Sequence, residues 1–190
     1  MTAMRLPLIA LLAGFIFNAA ALADGSHMNV CEQELVRAAA LHNVPLGMLY
    51  AVGLTESGQN GKLTPYAINV DGRALYNLSK AEALAAIEKA QGQGARYIDV
   101  GCMQINHRYH GRKFDSLEEM FDPEKNVAYA ARFLSELKER EGTWTMAIAR
   151  YHAGPKNFPA QKAYVCRVIK RMVTTGFGEW TDEARQFCAG

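Results

Sequence analysis

The chain has 190 residues, of which 49% are hydrophobic and 21% charged, with a formal net charge of +2. That length and apolar content suit one well-packed domain rather than two and exclude general disorder. A charge this close to balance gives no argument for nucleic acid, although mild basicity suits an anionic polymer.

The N-terminus stands apart from the rest. "MTAMR" supplies a positive charge, "LPLIALLAGFIF" an apolar run, and Ala21–Ala23 a small-residue cleavage site. This is the pattern of a secretory signal peptide, so residues 1–23 are expected to be removed, leaving no stable membrane span. The rival is an uncleaved anchor. Residues 24–28 are a short N-terminal segment whose "GSHM" is either a vector scar or native, and the fold is expected over 29–190. Export governs how the cysteines read. Cys31, Cys102, Cys166 and Cys188 are even in number and none has C-x-x-C spacing. Two disulfides are therefore expected, and a zinc or redox motif is not. Four cysteines permit three connectivities. One bridge tying a chain end into the body is the favoured arrangement.

Further along, helices dominate. "VCEQELVRAAALHN" has apolar residues at helical spacing behind Asn29 as cap. Pro45 fits the first turn of "VPLGMLYAVGLTES", with Gly58 and Gly61 as its end. "PYAINVDGRALYN" alternates about Asp71-Gly72, a hairpin signal. Ser79 caps the amphipathic "KAEALAAIEKAQ", which Gly92 and Gly94 end. "ARYIDVGCMQIN" is strand-like and then irregular, and "SLEEMF" is one short turn. Asp122 and Pro123 open "PEKNVAYAARFLSELKERE", ended by Gly142. "TWTMAIARYHAG" follows with Thr143 as cap and Gly154 as stop, then "PAQKAYVCRVIKRMV" and a last short helix, "TDEARQFC". The fold class is α-rich (α+β): one helical domain with a small antiparallel β element.

Glu56 is the last side chain of an apolar helix. A carboxyl in such surroundings is either paired or held protonated with a raised pKa. A carboxyl neutral near pH 7 is a proton donor, the group that protonates a leaving oxygen when a glycosidic bond is cleaved. Two further stretches add to it. In "GCMQIN", Gly101 permits unusual backbone geometry, Gln104 and Asn106 offer hydrogen bonds of the kind sugar hydroxyls need, and Met103 offers an apolar wall. In "ARYHAG", Tyr151 offers a phenol to the acid or to a sugar.

In that order, "GLTESG", "GCMQIN" and "ARYHAG" resemble the three signature segments of the SLT-type lytic transglycosylases, murein-cleaving enzymes similar in fold to goose-type lysozyme. The resemblance runs from about Cys31 to Gly154, and implies a lysozyme-like helical domain. Each segment alone is weak; the ordered set is specific. Glu56 and Ser57 match the family's Glu-Ser pair, Gly101 to Gln104 its Gly-Leu-Met-Gln, and Arg150 to Gly154 its Ala-Tyr-Asn-Ala-Gly. Cys102 replaces leucine, which a disulfide would explain. His152 replaces asparagine, so a substrate contact there does not carry over unchanged. Arg150 replaces alanine at an expected outward position.

The resemblance implies that Glu56 protonates the bond between N-acetylmuramic acid and N-acetylglucosamine, then serves as base on the muramoyl C6 hydroxyl, giving a 1,6-anhydro sugar. Gln104 and Tyr151 are expected to orient the acid and stabilise positive charge. Ser57 is expected to hold a sugar or the carboxylate, and Met103 and Asn106 to line the groove. The substrate implied is peptidoglycan glycan strands in the periplasm, with no cofactor. The subgroup looks like small periplasmic enzymes, some of which open the wall for flagella or secretion machines, so such a machine is a candidate partner. Two alternatives stand beside this. One is a hydrolytic muramidase, for which Asp71, Glu88, Asp99 and Asp115 are candidate second carboxylates and Asp99 the nearest to the second signature. The other is a non-catalytic peptidoglycan-binding assembly module. His107, His110 and His152 are too loosely spaced to make a metal ligand set. "RVIKR" is a basic face suited to acidic peptide stems or a partner protein.

Overall fold

The structure is a computed structural model that describes residues 28–189; the expected signal peptide, and all of the following segment but Met28, lie outside them. Nine α-helices, one 3-10 turn (Gly111–Lys113) and four strands follow one another among these residues. Helix α1 (Val30–Leu41) starts at Asn29, whose side chain accepts from the Glu32 amide while the Glu32 carboxylate accepts from the Asn29 amide. That reciprocal pair satisfies two N-terminal donors. Helix α2 (Leu46–Glu56) has buried residues on every side, including Leu49, Ala51, Val52 and Leu54. A helix apolar all round belongs in the centre of a domain. It begins one residue later than expected: Pro45 is its N-cap and Leu46 its first residue. It ends at Glu56, with Ser57 as C-cap and Gly58 beyond, while Gly61 belongs to a separate turn closed by the Gln59–Lys62 bridge.

Strands β1 (Ile68–Val70) and β2 (Arg73–Leu75) form the expected hairpin. Asp71 and Gly72 both have positive φ, 47° and 90°, as a two-residue turn of matching twist requires. Helix α3 (Lys80–Gly92) follows, capped by Ser79. Strands β3 (Ile98–Val100) and β4 (Ile105–Asn106) complete an antiparallel sheet of order β2-β1-β3-β4. Its register sets Asp99 opposite Asn106.

Two one-turn helices, α4 (His107–His110) and α5 (Leu117–Met120), lead to the long α6 (Pro123–Glu141). Asp122 caps α6, Pro123 opens it and Gly142 closes it at φ 83°. Helix α7 (Trp144–His152) ends two residues before the expected stop at Gly154, because Ala153 already turns extended. Helices α8 (Phe158–Thr174) and α9 (Asp182–Ala189) finish the chain. Helix α6 packs on α1 and α7, and α8 packs on α2 and α7, so α2 is held inside a helical body with the sheet at one side. Leu49, Val52, Ile68, Val100, Phe121 and Leu134 are fully buried in one core that joins helices to sheet.

The disulfides are Cys31–Cys102 and Cys166–Cys188. The second ties the C-terminal helix α9 onto α8. The first joins α1 to the turn after β3, and it accounts for cysteine at position 102. No helix among the described residues is long and apolar enough to cross a membrane.

Candidate active site

A groove of about 420 Å³ opens between the helical body and the sheet, with Glu56 in its lining. Glu56 reaches it from the last turn of α2. Tyr164, buried on α8, donates its hydroxyl to Glu56 Oε1 at 2.5 Å. Burial pushes the Glu56 carboxyl up to about 7, and the charge of Asp99 adds to that rise; the Tyr164 hydrogen bond and the Arg167 charge act in the opposite direction. Loss of water outweighs the one hydrogen bond, so the acid keeps its proton into the neutral range. Burial and the Glu56 charge push the phenols of Tyr164 and Tyr151 well above 10, so both stay protonated donors.

The "GCMQ" turn between β3 and β4, the floor turn, contributes Gln104 to the groove's lining. Gly101 has φ 82°, and a side chain there would meet the Asn126 amide at 2.5 Å, so only glycine fits. Buried Asn126, on α6, accepts from the Met103 amide and donates to the carbonyls of Val100 and Met120. Three more ties reach the same turn. The Ser57 hydroxyl donates to the Cys102 carbonyl at 2.6 Å, the Tyr151 hydroxyl to the Met103 carbonyl at 2.8 Å, and Cys31 is bonded to Cys102. Gln104, at φ 47°, turns its side chain into the groove while Nε2 donates to the Ala67 and Gly101 carbonyls. The three sequence signatures therefore meet at one turn.

Asp99 and Asn106 line the sheet side of the groove. Asn106 Nδ2 donates to Asp99 Oδ1 at 2.7 Å. Burial raises the Asp99 pKa and this hydrogen bond opposes the rise. His152 lies flat on the Tyr164 ring, with centroids 4.2 Å apart and planes 4° apart. Loss of water and then the Arg167 charge hold His152 below the usual histidine range.

The chain matches the family model described as the transglycosylase SLT domain over residues 35–171. The chain belongs to that family. No curated protein and no solved structure gives a match. Membership gives a lysozyme-like α+β fold and supports a transglycosylase-type action on peptidoglycan, and hence outside the cytoplasm.

Within this SLT domain the groove gathers Glu56, Gln104, Asn106, Tyr151 and His152. Two expected groove residues turn the other way. Ser57 is fully buried and spends its hydroxyl on the Cys102 carbonyl, so it touches neither sugar nor carboxylate. Met103 is also fully buried, because the turn directs it against α2 near Gly53. The expected partners of the acid are corrected too: Tyr151 and Gln104 give their donors to backbone carbonyls, and Tyr164 holds Glu56. Arg150 is not outward. Its side chain is 17% exposed and pairs with Glu141 at 3.2 Å. Of the four candidate second carboxylates only Asp99 lines the groove; Asp71 is at the hairpin tip accepting from the Tyr97 amide, and Glu88 and Asp115 are exposed. His110 pairs with the Tyr129 hydroxyl, and no group of three or more candidate ligands for a metal ion occurs among the described residues.

Tyr164 and Asn126 are the residues that sequence reasoning missed. Both occupy buried stripes of amphipathic helices. A polar group on such a stripe needs a partner, and that was the available signal.

Proposed function

We propose that the protein is a peptidoglycan lytic transglycosylase in which Glu56 is the catalytic acid and then the base. The observation that carries this reading is a groove-lining carboxyl that stays protonated to about pH 7 while a buried phenol fixes its position. Glu56 gives its proton to the glycosidic oxygen between N-acetylmuramic acid and N-acetylglucosamine, and the bond from that oxygen to the muramoyl C1 breaks. The Glu56 carboxylate then takes the proton of the muramoyl C6 hydroxyl as O6 bonds to C1. The product is a 1,6-anhydro ring, and the acid is restored without water. One carboxyl suffices because the nucleophile belongs to the substrate. Gln104, Asn106 and His152 line the groove as sugar contacts, and Tyr151 keeps the floor turn in place.

Mass spectrometry of soluble products tests the reading: anhydro ends are expected, and reducing ends would overturn it. Asp99 in the same groove favours one second reading, a hydrolytic muramidase in which Asp99 helps activate water. That enzyme releases reducing ends. A binding module without activity predicts no clearing on a murein gel by the native chain. We also propose that the mature chain, starting near Asp24 and carrying the transglycosylase domain over 29–190, lies in the periplasm after signal cleavage and opens the wall for a flagellar or secretion machine. N-terminal sequencing of exported protein tests the cleavage. Wall integrity and machine assembly in a strain carrying Glu56→Gln test the role.

A further inference from the structure

The groove continues past Glu56. Thr55 lines it and also lines a second hollow of about 250 Å³, whose other walls are Arg167, Lys170, Arg171 and Thr174. Those four residues are spaced along α8 so that they share one face. The same face carries Tyr164, the partner of Glu56, three residues before Arg167. At ~1.5 Å per residue, Arg171 stands roughly 10 Å along the helix from Tyr164. The hollow is thus within reach of a group carried by a sugar bound at Glu56.

Its charge is unbalanced. Helix α8 contains four cations and no acid, and the hollow has no acidic lining. Among the described residues, Arg167, Lys170 and Arg171 form no ion pair, whereas Arg37, Arg132, Arg140 and Arg150 each have one. Like charges three and four residues apart weaken a helix. The negative end of the helix dipole accounts for Arg171, in the last turn, but not for Arg167 or Lys170 before it. Arg167 lies over the Tyr164 ring, 5.4 Å from its centroid. The hydroxyls of Thr55 and Thr174 donate to the Ala51 and Arg171 carbonyls, which leaves their oxygens to accept from amides. Cations beside acceptor hydroxyls suit a ligand with both carboxylates and amide N–H groups.

We propose that this hollow is a subsite for the acidic peptide stem on the muramoyl residue at the scissile bond, with Lys170 and Arg171 holding stem carboxylates. The proposal rests on the catalytic reading of Glu56. It makes the enzyme selective for stem-bearing glycan over glycan whose stems have been removed.

The experiment compares kcat/KM on intact strands and on strands stripped of stems by an amidase. The native enzyme should favour intact strands by about tenfold, as expected for charge-assisted contacts. Lys170→Gln with Arg171→Gln should bring the ratio close to one, chiefly through KM, and Lys170→Arg with Arg171→Lys should restore it. Equal native rates, or faster cleavage of stripped strands with their free lactyl carboxylate, would overturn the proposal. So would an unchanged ratio in the double variant. A binding arm separates this from the catalytic reading. In full-length Glu56→Gln protein, a stem-bearing disaccharide should bind about tenfold more weakly once the two cations are removed. An unchanged Kd overturns the subsite, whereas native protein that binds but cleaves neither substrate overturns only the catalytic role.

Discussion

Glu56 and Asp99 line the same groove, one from the end of a central helix and the other from a sheet strand, and their surroundings separate them. Asp99 is fixed by its register partner Asn106, one strand away. Glu56 is fixed by Tyr164, 108 residues away in sequence, on a helix packed against its own. Burial raises both carboxyls, and Glu56 reaches about 7. Two like groups in one cleft acquire different tasks when their environments push their pKa values apart. Helix packing keeps one carboxyl protonated into the neutral range; sheet register has given the other a dedicated amide.

The largest effect that tests this difference is on chemistry. Glu56→Gln should lower the rate of murein cleavage by about 10³-fold, the range for loss of a general acid–base, and zymography with product analysis will read it. The same substitution should stabilise the fold at alkaline pH. The folded protein holds the Glu56 proton up to about pH 7, above the ordinary 4.5 of the unfolded chain, so native stability falls as pH rises through that window. Replacing the acid removes the penalty, which reaches on the order of 3 kcal/mol above pH 7 and vanishes below pH 4. Thermal melts should show an increase of up to roughly 10 °C at pH 8 and none at pH 4. A variant no more stable at pH 8 would mean that Glu56 is well hydrated, and the contrast with Asp99 would fail.

Tyr164→Phe should cost about tenfold in activity, the usual worth of one hydrogen bond to a charged or ionising group. The direction of its pH effect is the sharper test. The phenol favours ionised Glu56, so its removal raises that pKa and moves the alkaline limb of the rate profile to higher pH. A purely structural role for Tyr164 would lower the rate at all pH values and leave the limb in place.

The legible parts of the molecule are those whose signals are local. Asp122-Pro123 and Gly142 bound α6 because a cap, a fixed φ and a left-handed stop all act within a turn of the chain. Asp71-Gly72 likewise specifies the hairpin, and Glu56 was recognisable as the one carboxyl at the end of an apolar helix. Side-chain direction in the floor turn was not legible. Gln104 adopts φ 47°, a conformation no local rule demands of glutamine, and it decides that Gln104 faces the groove while Met103 faces the core. The hydroxyls of Ser57 and Tyr151 hold backbone of the floor turn rather than substrate or acid, a direction set by tertiary packing. Tyr164 was missed because its signal is a tertiary contact: along α8 it reads as one more core residue between Gln161 and Val165. The cysteine pairing also depends on tertiary approach, and only the fold brings α1 against the turn after β3.

Asp99→Asn should have the smallest effect and the opposite sign to Tyr164→Phe. The Asp99 charge raises the Glu56 pKa, so neutralising it lets Glu56 ionise earlier and moves the alkaline limb to lower pH. At pH 5, where Glu56 is protonated in either protein, the rate should change by less than about threefold; at pH 7 it should fall by a few-fold, as expected for one like charge acting through a polar groove. Products should keep their anhydro ends. If water were the nucleophile and Asp99 its base, the loss would be on the order of a hundredfold or more at every pH, and the native products would be reducing sugars. The asymmetry between the two carboxylates is therefore open to measurement. A transglycosylase needs Asp99 only as a charge that tunes its neighbour, whereas a hydrolase needs it as a reagent, and the rate at pH 5 separates the two without interference from Glu56 titration.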